Sequence, residues 1–577
     1  MAIDRDGTSD AAFNKWRWQW RRRIAIAQGQ YPPSLVLGGG SILNVFTGEL
    51  IVADIAIDAG VIAGIGSFPD AGDRIDVRGR VIAPSFIDPH IHMESSLLWS
   101  PEFARTVVPR GTGAIVTDPH EIANVAGLPG VAAFRDACRG LPLSVFFSAP
   151  SSAPASPHES AGAEMTSGDI EAMLAWPETV ALGEMMNVPG VLGAEPGIAT
   201  RIWAAGGKPV DGHAPGVGGS AIQAYAGSGI SSDHESTALT EARDKLRAGM
   251  LIVLREGSSE KNLLDLLPLV TDATYGRICF ASDDRDCHDL LEHGHVDDIL
   301  RTAIRGGLDP VRAIRMATWN PAQHWRLSGL GAVAPGYRAN LVVLRDLETV
   351  DVELTLFNGK VVARDGALTV ESPDVPVPAM LRDSVRIAPL HLSSLKLTTQ
   401  EATKAVQVVP GQIVTRMIEV SPPKGNGMAV SSVEDDLLKL VSVERHKASG
   451  RVGVGLVNGF GLERGALAST IAHDAHNIIS VGTNDTDILV AIATVAESQG
   501  GLAVVSEGEV IANVPLPVCG LISTEPAERV AEAYERVERA AKDLGCPLDS
   551  PFGQLAFLSL SVIPEARVTD RGLIDLR

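Results

Sequence analysis

Val81-Ile82-Ala83-Pro84-Ser85-Phe86-Ile87-Asp88-Pro89-His90-Ile91-His92 is the stretch that decides the fold. An apolar run that passes abruptly into acid and imidazole reads as a buried strand whose last residues emerge into a polar site. Residues two apart on a strand face the same side, so Asp88, His90 and His92 are expected to project together. Two imidazoles at one strand end can hold a divalent ion through nitrogen. H-x-H alone is a weak motif, since a packed or exposed pair of histidines produces it too. Its place directly after a buried run gives it weight, because barrel enzymes keep their sites at the C-terminal ends of their strands.

Seven further runs share this texture: GAIVTDPH, LSVFFSAP, VALGEMM, KPVDGHA, ISSDHES, LIVLREG and RICFASDD. Each is apolar and ends in polar or charged residues, and stretches between them, such as 241–249 and 296–306, have helical apolar spacing. The expected fold class is α/β, a (β/α)₈ TIM-like barrel over residues 84–325. Short period-two runs in 34–83 return in 326–378, which predicts one small flanking β-domain built from both sides of the barrel. Beyond Pro373, Pro376 and Pro378 the character changes, and 379–577 is expected to form a separate C-terminal α/β domain with a helix over 525–544. A chain of 577 residues accommodates about three or four such units.

The formal net charge of −21 argues against nucleic-acid binding, since an acidic surface repels phosphate. Residues 1–33 form an N-terminal extension carrying one basic aromatic run, Trp16 to Arg23. It reads as a terminal helix packing its Trp residues on a neighbour rather than as a membrane or nucleic-acid contact. It lacks the apolar core and cleavage site of a signal peptide, and no stretch is apolar for long enough to span a bilayer. Five scattered cysteines with no C-x-x-C pair exclude a disulfide framework and a thiolate metal site. They fit a reducing cytoplasm.

More candidate ligands stand at strand ends: Glu184 in VALGE, His213 in KPVDGH, His234 in ISSDH, and Asp283 with Asp284 in RICFASDD. A single histidine after a strand is more often a loop hydrogen-bonder than a ligand. Four separate strand ends that each supply a metal-binding residue type, after an H-x-H, point to a metal centre.

The order of H-x-H, fourth-strand acid, His, His and Asp resembles the amidohydrolase superfamily. Within it the chain is most similar to the adenine deaminase family. The closer likeness is carried by PSFIDPHIHMESS (84–96), PRGTGAIVTDPHEIANVAG (109–127) and HDAHNIISVGTND (473–485), with DGHAPG (211–216) and SSDHES (231–236) in support. It covers nearly the whole chain from about residue 34. The resemblance implies His90, His92 and Asp283 on one metal, His213 and His234 on a second, and a bridging group on the fourth strand. Many relatives bridge with a carboxylated lysine. No Lys lies between Glu178 and Gly190, and Lys208 opens the fifth strand at the wrong end, so this chain's own residues favour Glu184. Nitrogen and oxygen ligands suit Mn²⁺, Fe²⁺ or Zn²⁺, and the resemblance leans toward Mn²⁺ or Fe²⁺.

The implied reaction is hydrolytic deamination of adenine to hypoxanthine and ammonia by a metal-bridged hydroxide attacking C6. A bound metal lowers the pKa of water from about 15.7 toward about 7, which supplies that hydroxide. A nearby carboxyl can carry protons to the ring nitrogen and the departing amine. Glu235, next to His234, is the first candidate for that shuttle, although its alternate place on the strand also permits a cap or loop ion pair. Asp283 and Asp284 are the second, Asp283 as ligand or proton acceptor and Asp284 as a purine contact. His120 and Glu121, in TDPHE, face the mouth as candidates for catalysis and substrate contact, or for loop hydrogen bonding. His473 and His476 could share a helical face as a metal pair, but a loop that closes the pocket is the favoured reading. The partner is a small purine base, and a homodimer is the expected assembly. Ring opening of a cyclic amide, as in hydantoinases and dihydropyrimidinases, is the alternative chemistry for the same binuclear site.

Overall fold

In the computed structural model the described residues are 8–410, 412–425 and 427–577. The central body is a TIM-like barrel of eight parallel strands: β1 Phe86–Ile91, β2 Thr112–Thr117, β3 Ser144–Ala149, β4 Thr179–Met185, β5 Val210–Gly212, β6 Ser232–Asp233, β7 Leu251–Arg255 and β8 Ile278–Ala281. β1 to β5 pair in order, as do β6 to β8. Two sets of backbone bonds close the ring. Ser231 N–H donates to Val210 O at 2.9 Å between β5 and β6, and Asp283 N–H donates to His90 O at 3.1 Å between β8 and β1.

The apolar runs are buried on both faces, as parallel strands under helices must be. On the outer face, Phe86, Ile252, Leu254, Ile278 and Phe280 pack with Ala242, Ile299 and Ala303 of the surrounding helices. Inside, Ile87, Val116, Leu251, Val253, Cys279 and Ala281 close around Trp325 and Leu327. One end of the barrel is therefore filled with apolar side chains, and the buried polar groups collect at the other.

The leading run does not stay in one strand. Val81–Pro84 pairs antiparallel with Leu341–Leu344, and only after Ser85 does the chain enter β1. That pairing joins the two flanks of the barrel in one nine-stranded sheet. Asp88 also departs from the expected alternation. The β1–β2 register slips between Asp88 and Ile91, so Asp88 faces the helix side of the wall. There it accepts from Ser282 Oγ at 2.5 Å and lies 2.9 Å from His295 Nε2, while His90 and His92 turn inward.

The C-terminal region builds its own eight-stranded sheet, with a helix at Ala527–Asp543. Its core is continuous with the barrel's, since Leu516, Val518, Phe552 and Leu558 share one apolar cluster with Trp99, Phe103 and Phe134. The N-terminal helix Thr8–Ala27 buries Ile26 and pairs Arg22 with Asp58 at 2.7 Å. Trp16, Trp18 and Trp20 are exposed rather than packed on this chain. Among the described residues, no helix is long and apolar enough to cross a membrane.

One buried cation fixes the segment that carries His234. Lys245 is fully buried, and its Nζ donates to Asp233 Oδ1 (2.7 Å), Ala214 O (2.7 Å), Glu241 Oε1 (2.8 Å) and Ser236 Oγ (3.0 Å). Removing one partner of a buried ion pair strands the other charge. Lys245→Ala is expected to cost about 3–5 kcal/mol of stability, measured by denaturant unfolding, whereas an exposed change such as Arg247→Ala leaves the midpoint unmoved.

Candidate metal centre

The strand ends bring His90, His92, Glu184, His213, His234 and Asp283 together at the polar mouth, and all but partly buried His213 are fully enclosed. Asp283 sits just past β8 with a left-handed φ of 55°, a conformation that Asp tolerates better than most residues. That twist sends Asp283 toward the histidines and Asp284 toward Ser95. Asp283 Oδ1 lies 3.1 Å from His92 Nε2 and 3.4 Å from His90 Nε2. Glu184 stands between the two halves of the cluster. Its Oε1 is 3.4 Å from His92 Nε2, and its Oε2 is 2.6 Å from His213 Nδ1 and 3.3 Å from His234 Nε2.

The outer hydrogen bonds assign the tautomers. His92 Nδ1 is 2.9 Å from the Asp118 carbonyl oxygen, which can only accept, so Nδ1 carries the proton. His90 Nδ1 likewise donates to Asp211 Oδ2 at 2.7 Å. In the neutral rings both Nε2 atoms therefore present lone pairs, and they face each other at 3.3 Å with Asp283 Oδ1 beside them. Glu184 Oε2 lies 3.3 Å from His234 Nε2, and no outer hydrogen bond among the described residues fixes that ring's tautomer. Acceptors buried this closely are relieved by a positive charge among them, whether a proton on an imidazole or a metal ion. The donor set, imidazole nitrogen and carboxylate oxygen without thiolate, fits a divalent transition ion.

Protons answer the same field. Burial pulls His92 down, but Asp283, Asp284 and Glu184 outweigh it and hold the ring well above the ordinary imidazole range. Burial also opposes ionisation of Glu184, yet the neighbouring histidines, His213 foremost, keep it well below the usual carboxylate value. Burial and His92 lower His120, and Glu184 at 3.2 Å together with Asp474 pushes it up to about 10.

Several groups that sequence reading passed over complete the site. Asp211 accepts from His90 and from Ser232 Oγ (2.6 Å) and faces His234 Nδ1 at 3.4 Å, so one carboxylate orients two rings. Asp118 accepts the Glu184 backbone N–H at 3.0 Å. Arg255, the last residue of β7, ties Glu235 Oε1 to Asp283 Oδ2, the latter at 2.6 Å. Arg255 in LIVLREG and Asp211 in KPVDGH also stand at strand ends, the one signal of their place that the sequence carries.

The remaining candidates divide between the cavity and its backing. His92, His120, Glu184, His213, Glu235, Asp283 and Asp284 line one cavity. Glu235 Oε2 is buried there without a partner. Asp284 accepts from Ser95 Oγ at 2.5 Å. Glu121 lies behind the wall, 3.3 Å from Ser95 Oγ and 3.5 Å from His473 Nδ1. His473 and His476 are not on a helix. They occupy a turn, with His476 at φ 54°, and His473 reaches the cavity while His476 packs beneath it. Ile413, Asp474, Phe557, Leu560 and Ile563 of the C-terminal region cover the mouth.

Residues 81–362 match the amidohydrolase family, and residues 412–577 match the adenine deaminase C-terminal domain. An adenine deaminase from Dehalococcoides mccartyi is 46% identical over 554 residues, covering 96% of this chain and 97% of that protein. Those of Desulfatibacillum aliphaticivorans and Methanothrix thermoacetophila are 43% and 42% identical, with the same coverage. This chain belongs to the adenine deaminase family. The family's C-terminal domain is the part that roofs the barrel mouth here, so both matched regions meet at one cavity.

His90 turns its Nε2 into the cluster while Asp211 holds its Nδ1, the placement of a candidate ligand. His90→Ala is expected to strip bound metal and abolish turnover while the circular dichroism spectrum is retained. Full turnover in a metal-depleted His90→Ala protein would contradict the site.

Proposed function

We propose that the protein hydrolyses adenine to hypoxanthine and ammonia at the barrel mouth. The observation that carries this reading is the convergence of four histidines and two carboxylates in one buried space, in a chain of the adenine deaminase family. His90, His92 and Asp283 would hold one divalent ion, His213 and His234 a second, and Glu184 would be shared between them. Mn²⁺ or Fe²⁺ is favoured and Zn²⁺ is compatible. Such ions, when bound, supply a hydroxide nucleophile at neutral pH.

The chain's own residues handle substrate and protons. Glu235 has one oxygen held by Arg255 and the other free toward the cavity. It carries a proton to the ring nitrogen of adenine and then to the departing amine. Arg255 keeps Glu235 and Asp283 apart and in place. Asp284, oriented by Ser95, contacts the purine. His120 stands between Glu184 and Asp474 as a further contact to substrate, backed by Glu121 through His473. The family match through the C-terminal domain supports deamination over ring opening of a cyclic amide.

Glu235→Gln should keep its metal and lose about 10²–10⁴ in kcat, the range for a lost acid–base group, read by ammonia release alongside metal analysis. Near-normal turnover would remove Glu235 from the mechanism.

We also infer a homodimer. Phe13, Trp16 and Trp20 form one stacked stripe with ring centroids 5.9 Å apart at each step, exposed and flanked by Lys15, Arg17 and Arg21. A chain of net charge −21 offers that basic stripe an acidic partner surface in a second copy. Light scattering of the full chain should give a dimer that Trp16→Gln/Trp20→Gln shifts to monomer. A monomeric wild type would contradict this assembly.

A further inference from the structure

The cavity wall opposite the barrel comes from the C-terminal region, and Asp474 supplies its carboxylate. Asp474 is 3% exposed. Its Oδ1 lies 3.8 Å from His120 Nε2 and 3.9 Å from His473 Nδ1, both beyond hydrogen-bond length, and its Oδ2 is buried with no partner. The turn that carries it is tied down on every side. His473 N–H donates to Ala556 O (3.0 Å), Ser559 Oγ to His473 O (3.2 Å), His446 Nε2 to Ala475 O (2.8 Å) and Asn477 Nδ2 to Ser160 O (2.8 Å). The backbone that carries Asp474 is therefore held in place at the cavity wall. A buried acceptor left unmatched in a rigid wall is costly to folding, and it is satisfied when a ligand brings the donor.

Adenine carries donors at two ends. The exocyclic amine is at the reacting carbon, which must face the Glu184–Asp283 side where hydrolysis takes place. The other donor is the N–H of the five-membered ring, at the far end of the molecule. The apolar residues that line the cavity, Met186 from the barrel and Phe557, Leu560 and Ile563 from the C-terminal region, suit the faces of a flat ring. We infer that Asp474 is a specificity-determining substrate ligand, which accepts the imidazole N–H of a free purine base and so rejects purines substituted there, nucleosides included. This rests on the adenine reading above. A site built to bond a substrate N–H discriminates strongly against analogues lacking it, because its own polar group is then left unpaired.

The test is steady-state kinetics of the metal-loaded full chain on adenine and 9-methyladenine, which has no imidazole N–H. The wild type should prefer adenine by about 10⁴ in kcat/KM. In Asp474→Ala, adenine should fall about 10²-fold or more with metal content unchanged, while 9-methyladenine stays within about threefold, so that the preference shrinks. Asp474→Asn, which keeps the shape and an acceptor oxygen, should retain more of the preference than Asp474→Ala. Equal loss on both substrates would reduce Asp474 to a support for His120 and overturn the assignment. Should neither variant fold, the wild type still decides, since similar rates on adenine and 9-methyladenine would overturn it. Failure of the wild type to release ammonia from adenine would instead remove the deaminase reading itself.

Discussion

The packing of four imidazoles and two carboxylates into one buried space is the constraint on which this structure depends. Each of His90 and His92 commits its outer nitrogen to a fixed acceptor, Asp211 and the Asp118 carbonyl, and thereby presents the inner nitrogen as a lone pair. Glu184 and Asp283 add carboxylate oxygens to the same space. Bound cations would relieve the crowding of acceptors, which would couple metal loading to stability at this point. The rest of the barrel serves to hold it: Trp325 and its neighbours fill one end, which forces the polar residues to the other.

Around that centre the support is layered. Asp211 faces both His90 and His234, Asp118 holds the Glu184 backbone, and Lys245 anchors Asp233 immediately before His234. Arg255 spans Glu235 and Asp283, so the group proposed to move protons and a group proposed to hold metal are positioned by one guanidinium. The C-terminal region is part of the same device. It shares the barrel's apolar core through Phe103 and Leu558 and covers the mouth with Asp474 and Phe557.

Much of this was legible in the order of residues, and the reasons are specific. The eight barrel strands announce themselves because both faces are buried, which makes each an apolar run, and the polar residues at their ends mark the mouth. Pattern failed where tertiary pairing intervened. Val81–Pro84 and Phe86–Ile91 read as one strand, yet Ser85 divides them between two sheets, because Leu341–Leu344 competes for the first half. Strict alternation groups Asp88 with the histidines, and the register slip after it abolishes that grouping. His473 and His476 also have helical spacing, but they sit in a turn as the favoured loop reading expects, with His476 in the left-handed region. Asp474 lies in a string that sequence reading singled out, yet nothing local indicates that it would arrive opposite Glu184. That is information about docking of distant segments, which no window of sequence contains.

The most direct measurement is anomalous X-ray diffraction from crystals of the full chain grown with Mn²⁺. The account predicts two manganese peaks at the barrel mouth, about 3.5–4 Å apart, one against His90, His92 and Asp283, the other against His213 and His234, with Glu184 touching both. Peaks elsewhere, or a manganese-free mouth with Glu184 still paired to His213, would contradict it.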